Sequence, residues 1–469
     1  MPQNFIGCDR EQELLLPPSL CEWLPEEHLA WFVLEAVEEL DLSAFYASYR
    51  SDGRGRAAHD PGMMVALFIY SYAIGVRSAR AIERRCREDV AFRVITANQL
   101  PDHATIARFR VRHEQAISEL FGGVLELCAR AGLVDVGVVA VDGTKIAANA
   151  SDYATRSYEQ IAREILQDAA RIDAAEDELY GEARGDELPQ GLRTSGERRA
   201  RLREAKQALE AERAAKAKKV PRDRTERLVE CEQRLRQDWH LECHVIAEHA
   251  KWFAAGIASD GSRRLAGARH AIKPYPISAA PTGKINLSDP DCKNLKAPRG
   301  WVQGYNAQAV VSEGQIVIAA EITTESVDAA NLEPMITTAC QELQAAGISR
   351  QPGVVLADAG YWKNEAIEQL VSQGIQTLVA PDADQRKEPR PGRRGGLYDF
   401  TRRVLASDHG KQLYGKRQGM IEPVFGQIKS NRGAGRFQRR GRSAVRSEWR
   451  LLTATHNVLK LHKHQLAAA

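Results

Sequence analysis

The chain has 469 residues, 43% of them hydrophobic and 27% charged, with a formal net charge of +3. Such a length suggests about three domains with enough apolar residues for real cores, and so small a total charge says little about partners. The eight cysteines, at 8, 21, 86, 128, 231, 243, 292 and 340, contain no CxxC pair and make no disulfide framework, which fits a reducing compartment.

The first residues include early acids and no basic stretch ahead of an apolar one, so no signal peptide is expected. The longest apolar run, Met63–Val76, is too short to span a membrane and reads as a buried helix. A soluble, cytoplasmic protein follows. Residues 1–132 read as all-helical. Pro25 opens a helix through Leu40, with Trp31, Leu34, Val37 and Leu40 at helical spacing. Pro61 starts the buried helix and Gly75 marks its end. Ser78 reads as the N-cap of a helix over 79–89, and Asp102 as the N-cap of another from His103. This last pair resembles a helix-turn-helix. Thr105, Arg108 and Arg112 share one face, and Ile106, Phe109, His113 and Ile117 a more apolar one. Such a face can enter a major groove; an amphipathic helix with a charged solvent side is the alternative.

Val134–Val141 is an apolar, β-branched run and predicts a central strand. From about 155 to 250 the composition shifts to Ala, Glu, Arg, Lys and Leu. Ile161, Ile165, Ile172 and Leu179 form one heptad-like seam, and Leu228, Leu235 and Trp239 another, with breaks at 181–196 and 220–223. This predicts an inserted helical, coiled-coil-like hairpin over 155–260, serving dimerisation or DNA clamping, or a solvated spacer. A strand hairpin follows at Asn306–Ser312 and Ile316–Thr323, with Glu313-Gly314 in its turn. Next come a helix over 331–346, a strand over 354–357, a helix over 364–373, a strand over 377–380 and, after a basic loop, a helix through Glu422. Residues 386–450 carry 18 Lys or Arg against 5 Asp or Glu, an excess of the kind that binds phosphate backbones. For 384–398 a solvated basic loop is the plainer reading. By themselves these elements support an α/β domain with an interruption.

Three carboxylates stand out. Asp142 follows the run ending at Val141, Asp358 follows Val354–Ala357, and Glu422 sits in the helical segment YGKRQGMIEPVFGQIKSNRG. Two strand-end aspartates on neighbouring strands and one helix glutamate can supply the hard oxygen ligands that Mg²⁺ or Mn²⁺ prefers. Cutting a phosphodiester calls for two such ions beside the scissile phosphate. Gly143 and Gly360 follow the two aspartates closely and leave room for a phosphate backbone. Taken singly, each Asp could be a turn or cap residue and Glu422 a surface glutamate.

At these residues the chain resembles the DDE transposases of bacterial insertion sequences. The matching stretches are VAVDGTKIAANAS, VVLADAGYWKNEAI, and Tyr-x2-Arg-x4-Glu-x6-Lys at Tyr414, Arg417, Glu422 and Lys429. GWVQGYNAQAVVSEGQIVIAAEITT and HDPGMMVALFIYSYAIGVRSARAIE are also similar to this group. A related branch has three residues rather than four between the Arg and the Glu, a departure that bears on Arg417 more than on Glu422. The resemblance implies an α/β ribonuclease-H-like catalytic domain, with an all-α N-terminal DNA-binding domain over 1–132 and the inserted hairpin. The catalytic domain would occupy 133–154 and 261–455, with a tail over 456–469. It further implies that Asp142, Asp358 and Glu422 hold two Mg²⁺ or Mn²⁺ ions and catalyse strand cleavage and strand transfer. Thr105, Arg108 and Arg112 would read the terminal inverted repeats. Tyr414, Arg417 and Lys429 would contact phosphates near the cut, and by their charge Arg432, Arg436, Arg439, Arg440 and Arg442 extend that positive surface. The partners implied are double-stranded DNA, as element ends and target, and a second copy of the chain in the DNA complex. The setting would be the nucleoid.

Glu448 and Asp152 are the fallback acids. His240, His244 and Glu248, with Cys243 beside them, could form a zinc site but read better as a solvated helix face. No phosphate-binding loop of the Walker type is present. The competing functions are a DNA-binding protein with a dead acidic site and a nuclease that cuts without rejoining.

Overall fold

The computed structural model describes residues 19–49, 57–180, 223–256, 274–297, 300–382 and 395–468. Contacts divide the chain into two units, one of residues 1–150 with 291–469 and one of residues 151–290.

Among the described residues of the first unit, seven α-helices precede the sheet: α1 (Leu29–Glu38), α2 (Ser43–Tyr46), α3 (Pro61–Ala73), α4 (Ala79–Glu88), α5 (Val90–Ile95), α6 (His103–Arg112) and α7 (Glu114–Arg130). Helix α1 starts at Leu29 behind an N-cap at His28, later than Pro25 suggested. Helix α3 begins as its sequence dictates: the Asp60 side chain accepts the Met63 N–H at 2.8 Å and Pro61 takes the first helical position. It ends at Gly75, whose φ of +84° suits glycine, and the Val76 N–H closes the turn on the Ser71 carbonyl. Nearly every α3 side chain is buried, so the helix forms the centre of this layer rather than a face of it.

The sheet has six strands: β1 (Val138–Ala147), β4 (Lys293–Ala297), β5 (Gly300–Ser312), β6 (Val317–Thr323), β7 (Val354–Ala357) and β8 (Gln376–Val379). Strand β5 is antiparallel to β1 on one edge and to β4 and β6, end to end, on the other. Strand β1 is parallel to β7, which is parallel to β8. Helix α10 (Leu332–Ala345) connects β6 to β7, and α11 (Asn364–Ser372) connects β7 to β8. The expected strand–helix alternation is present, with β5 longer than anticipated and β4 added at the edge.

Two helices follow, α12 (Gly396–Ala406) and α13 (Asp408–Gly426), and α13 runs into a π-helical turn at Gln427–Asn431. The last helix, α14, spans Arg442–Ala468. Residues 456–468, read from the sequence as a tail, are its second half. Trp449, Leu452 and Val458 are buried, and the Trp449 indole N–H donates to the Gln308 carbonyl at 2.9 Å. Asn457 bonds both backbone groups of Val317 in β6. Helix α14 packs on α7 and α3 as well as on β6, so one apolar core joins the N-terminal helices to the sheet.

Among its described residues the second unit contains β2 (Thr155–Ser157), paired antiparallel with β3 (Lys284–Asn286), and the helices α8 (Tyr158–Tyr180) and α9 (Arg224–Ala254). Ile161, Leu228, Cys231, Leu235 and Ile285 form its own buried cluster, with Ile165 against it. Ile172, the next residue of the predicted seam, is 53% exposed, and the side chain of Leu179 lies outside what the structure describes. The breaks expected at 181–196 and 220–222 lie outside the described residues.

Candidate active site

Strand pairing brings the two aspartates together. The last β1–β7 pair is Val141 with Ala357, so Asp142 and Asp358 are the next residues on two adjacent parallel strands. Only Asp358 ends its strand, where it caps a short 3₁₀ turn, Ala359–Tyr361, and accepts the Gly360 N–H at 2.8 Å. Asp142 sits in mid-strand. Strand β1 continues to Ala147 because β5 pairs with it along the whole length, Asp142 opposite Ala309 and Ala147 opposite Gly304. On its other edge β1 has no strand partner from Asp142 to Ile146 among the described residues. The next pairing there is at Ala147, which bonds the Gly435–Phe437 segment. The open stretch of edge begins at the two carboxylates.

Burial, reinforced by the charge of Asp358 and then of Asp328, pushes the Asp142 carboxyl up to about 6. The Gly143 N–H, at 2.7 Å, and the Arg417 guanidinium oppose that rise. Arg417 Nη1 lies 3.2 Å from Asp142 Oδ2, and its side chain is 8% exposed. A cation is thus already bound to one oxygen of the pair.

Arg417 reaches the strand from α13, whose buried face is Arg417, Met420, Ile421, Val424 and Phe425. Farther along, Lys429 Nζ donates to Thr144 Oγ1 at 2.9 Å and to the Lys145 carbonyl at 3.3 Å. Desolvation lowers the Lys429 pKa. The helix therefore holds the open edge of β1 at two places, Asp142 and Thr144. Glu422 lies between them in sequence, five residues after Arg417 and seven before Lys429, with an exposed side chain. Among the described residues no three His, Cys, Asp or Glu side chains are gathered as a metal ion requires.

Asp328 was not anticipated. It accepts from Asn306 Nδ2 at 2.7 Å, Gln308 Nε2 at 2.8 Å and Lys145 Nζ at 3.2 Å. Gln308 in turn accepts from the buried Tyr361 hydroxyl, in the turn that Asp358 caps. Burial first, then the charges of Asp328, Asp142 and Asp358, push the Tyr361 pKa well above its ordinary value. Gly143 faces Gln308 in the register, and a Cβ there would collide with the Gln308 and Asn306 side chains. Its glycine thus makes room for this polar cluster, not for a phosphate backbone. The one local signal was Asn306 and Gln308 at alternate positions beside Ala307, Ala309, Val310 and Val311.

The Asp102 side chain caps α6 by accepting the Thr105 N–H at 2.6 Å, as expected. Thr105 is half-buried, while Arg108 and Arg112 are exposed and Ile106, Phe109, His113 and Ile117 are buried. Arg112 lies 4.3 Å over the Tyr49 ring, and Arg108 Nη2 donates to Thr105 Oγ1 at 3.2 Å. Helix α5 interrupts the supposed pair α4 and α6, which still pack together. Of the arginines from 432 to 442, Arg436, Arg440 and Arg442 are exposed. Arg432 is 5% exposed and donates to the Leu452 carbonyl and to Thr455 Oγ1; Arg439 pairs with Glu114 at 2.6 Å. Both guanidiniums are tied into the protein and not offered to a ligand. Tyr414 is half-buried beside Arg417, 5.7 Å from ring centre to guanidinium. Glu448 is buried on Arg77 and on the N–H groups of Gln438 and Arg439, so the fallback acid has a structural role. His240 and His244 are exposed and Glu248 pairs with Lys251.

Residues 18–112 match the family described as Transposase domain (DUF772), and residues 287–458 match the Transposase DDE domain. No curated protein and no solved structure matches the chain. The matches define a transposase, and the helical N-terminal region and mixed sheet fit one. The chain belongs to the DDE transposases of insertion sequences. Asp142 falls outside both matched stretches, yet its strand is seated between β5 and β7, which lie within the second. No described helix is long and apolar enough to cross a membrane.

Proposed function

We propose that the chain binds the terminal inverted repeats of its element, cuts the DNA at their ends and joins the freed strands to a target, using divalent ions held by Asp142, Asp358 and Glu422. The observation that carries this reading is the placement of Asp142 and Asp358 side by side, with the Asp142 pKa raised partly by its neighbour's charge. Two half-buried carboxylates on adjacent strands form a hard-oxygen site suited to Mg²⁺ or Mn²⁺. Bound ions there supply charge stabilisation for in-line phosphoryl transfer. Glu422 is the third ligand, carried on the helix that grips the open β1 edge through Arg417 and Lys429. The sheet order β5-β1-β7-β8, with β4 and β6 both paired to the other edge of β5, supports a ribonuclease-H-like catalytic domain.

Arg417 orients Asp142 and offsets its charge. Lys429, seated at Thr144, Tyr414, seated beside Arg417, and the exposed Arg436 and Arg440 contact the DNA backbone. Thr105, Arg108 and Arg112 on α6 read the repeats, two copies of the chain pair on the DNA, and the work takes place on the nucleoid.

The test is cleavage of a duplex carrying the element's end, with Mn²⁺. Asp142→Asn, Asp358→Asn and Glu422→Gln are each expected to abolish cleavage with end binding kept within about twofold, since only the transition-state interactions are lost. Cleavage that survives a substitution removes that residue from the site. End binding without any cleavage by the unaltered chain would favour a DNA-binding protein with a dead site, and cut but never joined products a nuclease. Arg108→Ala with Arg112→Ala should weaken end binding by at least about tenfold; unchanged binding would reject α6 as the reader.

A further inference from the structure

A cleft of about 560 Å³ opens beside α6, lined by Ser78, Ala79, Ala107, Arg110, Arg439 and Arg440 among others. Of its three guanidiniums, Arg439 is neutralised by Glu114. The other two bond neutral groups. Arg110 Nη1 donates to the Tyr72 hydroxyl at 3.2 Å and the group lies 5.4 Å from the Phe68 ring centre; Arg440 Nε donates to the Asn149 carbonyl at 2.7 Å. Among the described residues no carboxylate pairs with either.

Arg110 is 8% exposed, and its Nε is buried with no hydrogen-bond partner; Arg439 Nη1 is in the same condition. A buried cation without a counter-ion is costly, and an arriving anion would relieve that cost. The first turn of α4 opens on the same cleft. Its cap residue Ser78 makes no side-chain capping bond, so the hydroxyl and the first N–H groups of a ten-residue helix remain available as donors.

We propose that this cleft binds one phosphate of the DNA backbone, with Arg110 and Arg440 as its charged contacts and the N-terminal turn of α4 as a neutral one. The inference rests on the DNA-binding reading above and adds to it a fixed phosphate seat shared by the N-terminal helices and the segment that precedes α14. Arg110 and Ser78 had no place in the sequence-based set of DNA contacts. Both halves of the seat belong to one packed unit, so a backbone held there stands in a set relation to the carboxylate pair.

The experiment measures binding of a fluorescent end-containing duplex by the full chain in EDTA, across a NaCl series, so that catalysis plays no part. Arg440→Gln changes an exposed residue and should weaken binding about three- to tenfold and reduce the salt slope by about one unit, as expected for one lost phosphate contact. Arg110→Met should do the same; because it is buried, circular dichroism must first show an intact fold, and Arg440→Gln carries the test if it does not. Arg84→Gln, an exposed arginine paired with Glu88 elsewhere on α4, should leave affinity and slope unchanged. Unaltered binding and slope in Arg440→Gln, or equal weakening in Arg84→Gln, would overturn the seat while leaving DNA binding standing. No duplex binding by the unaltered chain would overturn both.

Discussion

Replacing Asp142 by Asn should change how the metal-free protein responds to pH. The Asp142 carboxyl titrates near 3.8 when unfolded and at about 6 in the folded chain, because burial and Asp358 disfavour its charge. Between those values the folded state holds more protons than the unfolded one, so this group's contribution to stability falls as pH rises from about 4 to 6 and is constant above. About two pKa units correspond to about 3 kcal/mol. Asparagine does not titrate. The loss of the Arg417 contact adds an offset nearly independent of pH, since the guanidinium stays charged. Urea unfolding in EDTA at pH 4, 5, 6 and 7.5 gives the difference between variant and parent. That difference should move by about 2.4 kcal/mol in the variant's favour from pH 4 to 7.5, most of it between pH 4.5 and 6.5. A difference constant to within about 0.5 kcal/mol would refute the claim that the pair is electrostatically frustrated.

Three further outcomes follow from the same geometry. Arg417→Ala should destabilise the chain by about 3 kcal/mol at pH 8, where Asp142 is ionised and loses its buried partner, and by clearly less at pH 5; equal losses in urea at both pH values would contradict the pairing. Gly143→Ala should cost about 1–3 kcal/mol in thermal unfolding and impair cleavage, by forcing Gln308 and Asn306 off Asp328, with end binding retained. In the second unit, Leu228→Ala should cost about 2–4 kcal/mol, whereas Ile172→Ser should stay within about 0.5 kcal/mol, measured as resistance of that unit to limited proteolysis.

Much of the sheet was legible because its strands are apolar runs closed by turn residues: Val354–Ala357 appears where its composition puts it. The second half of β1 was not, because Asp142, Gly143, Thr144 and Lys145 look like the exit from a strand. Pairing with a distant partner, β5, overrides that local chemistry. Helix α14 was hidden at its end by Lys and His residues. His456 is in fact buried between Gln427 and the Gln315 carbonyl, with its pKa pushed down to about 3 by desolvation. The heptad seam was over-extended, since Ile172 obeys the period but faces solvent. The aspartates announced themselves by context. Asp328 could not, because its partners come from positions 145, 306 and 308, and only folding makes them neighbours. Likewise nothing in a run of arginines distinguishes Arg432 and Arg439, fixed inside the protein, from the exposed Arg436 and Arg440.

The central claim is that Asp142, Asp358 and Glu422 jointly hold the catalytic ions. It is tested most directly by an anomalous-scattering map from crystals of the chain bound to end DNA and soaked in Mn²⁺. The account predicts two manganese peaks about 4 Å apart beside the open β1 edge, both touching Asp142 or Asp358 and one also touching Glu422. Peaks elsewhere, or peaks at the aspartates with Glu422 remote from them, would contradict it.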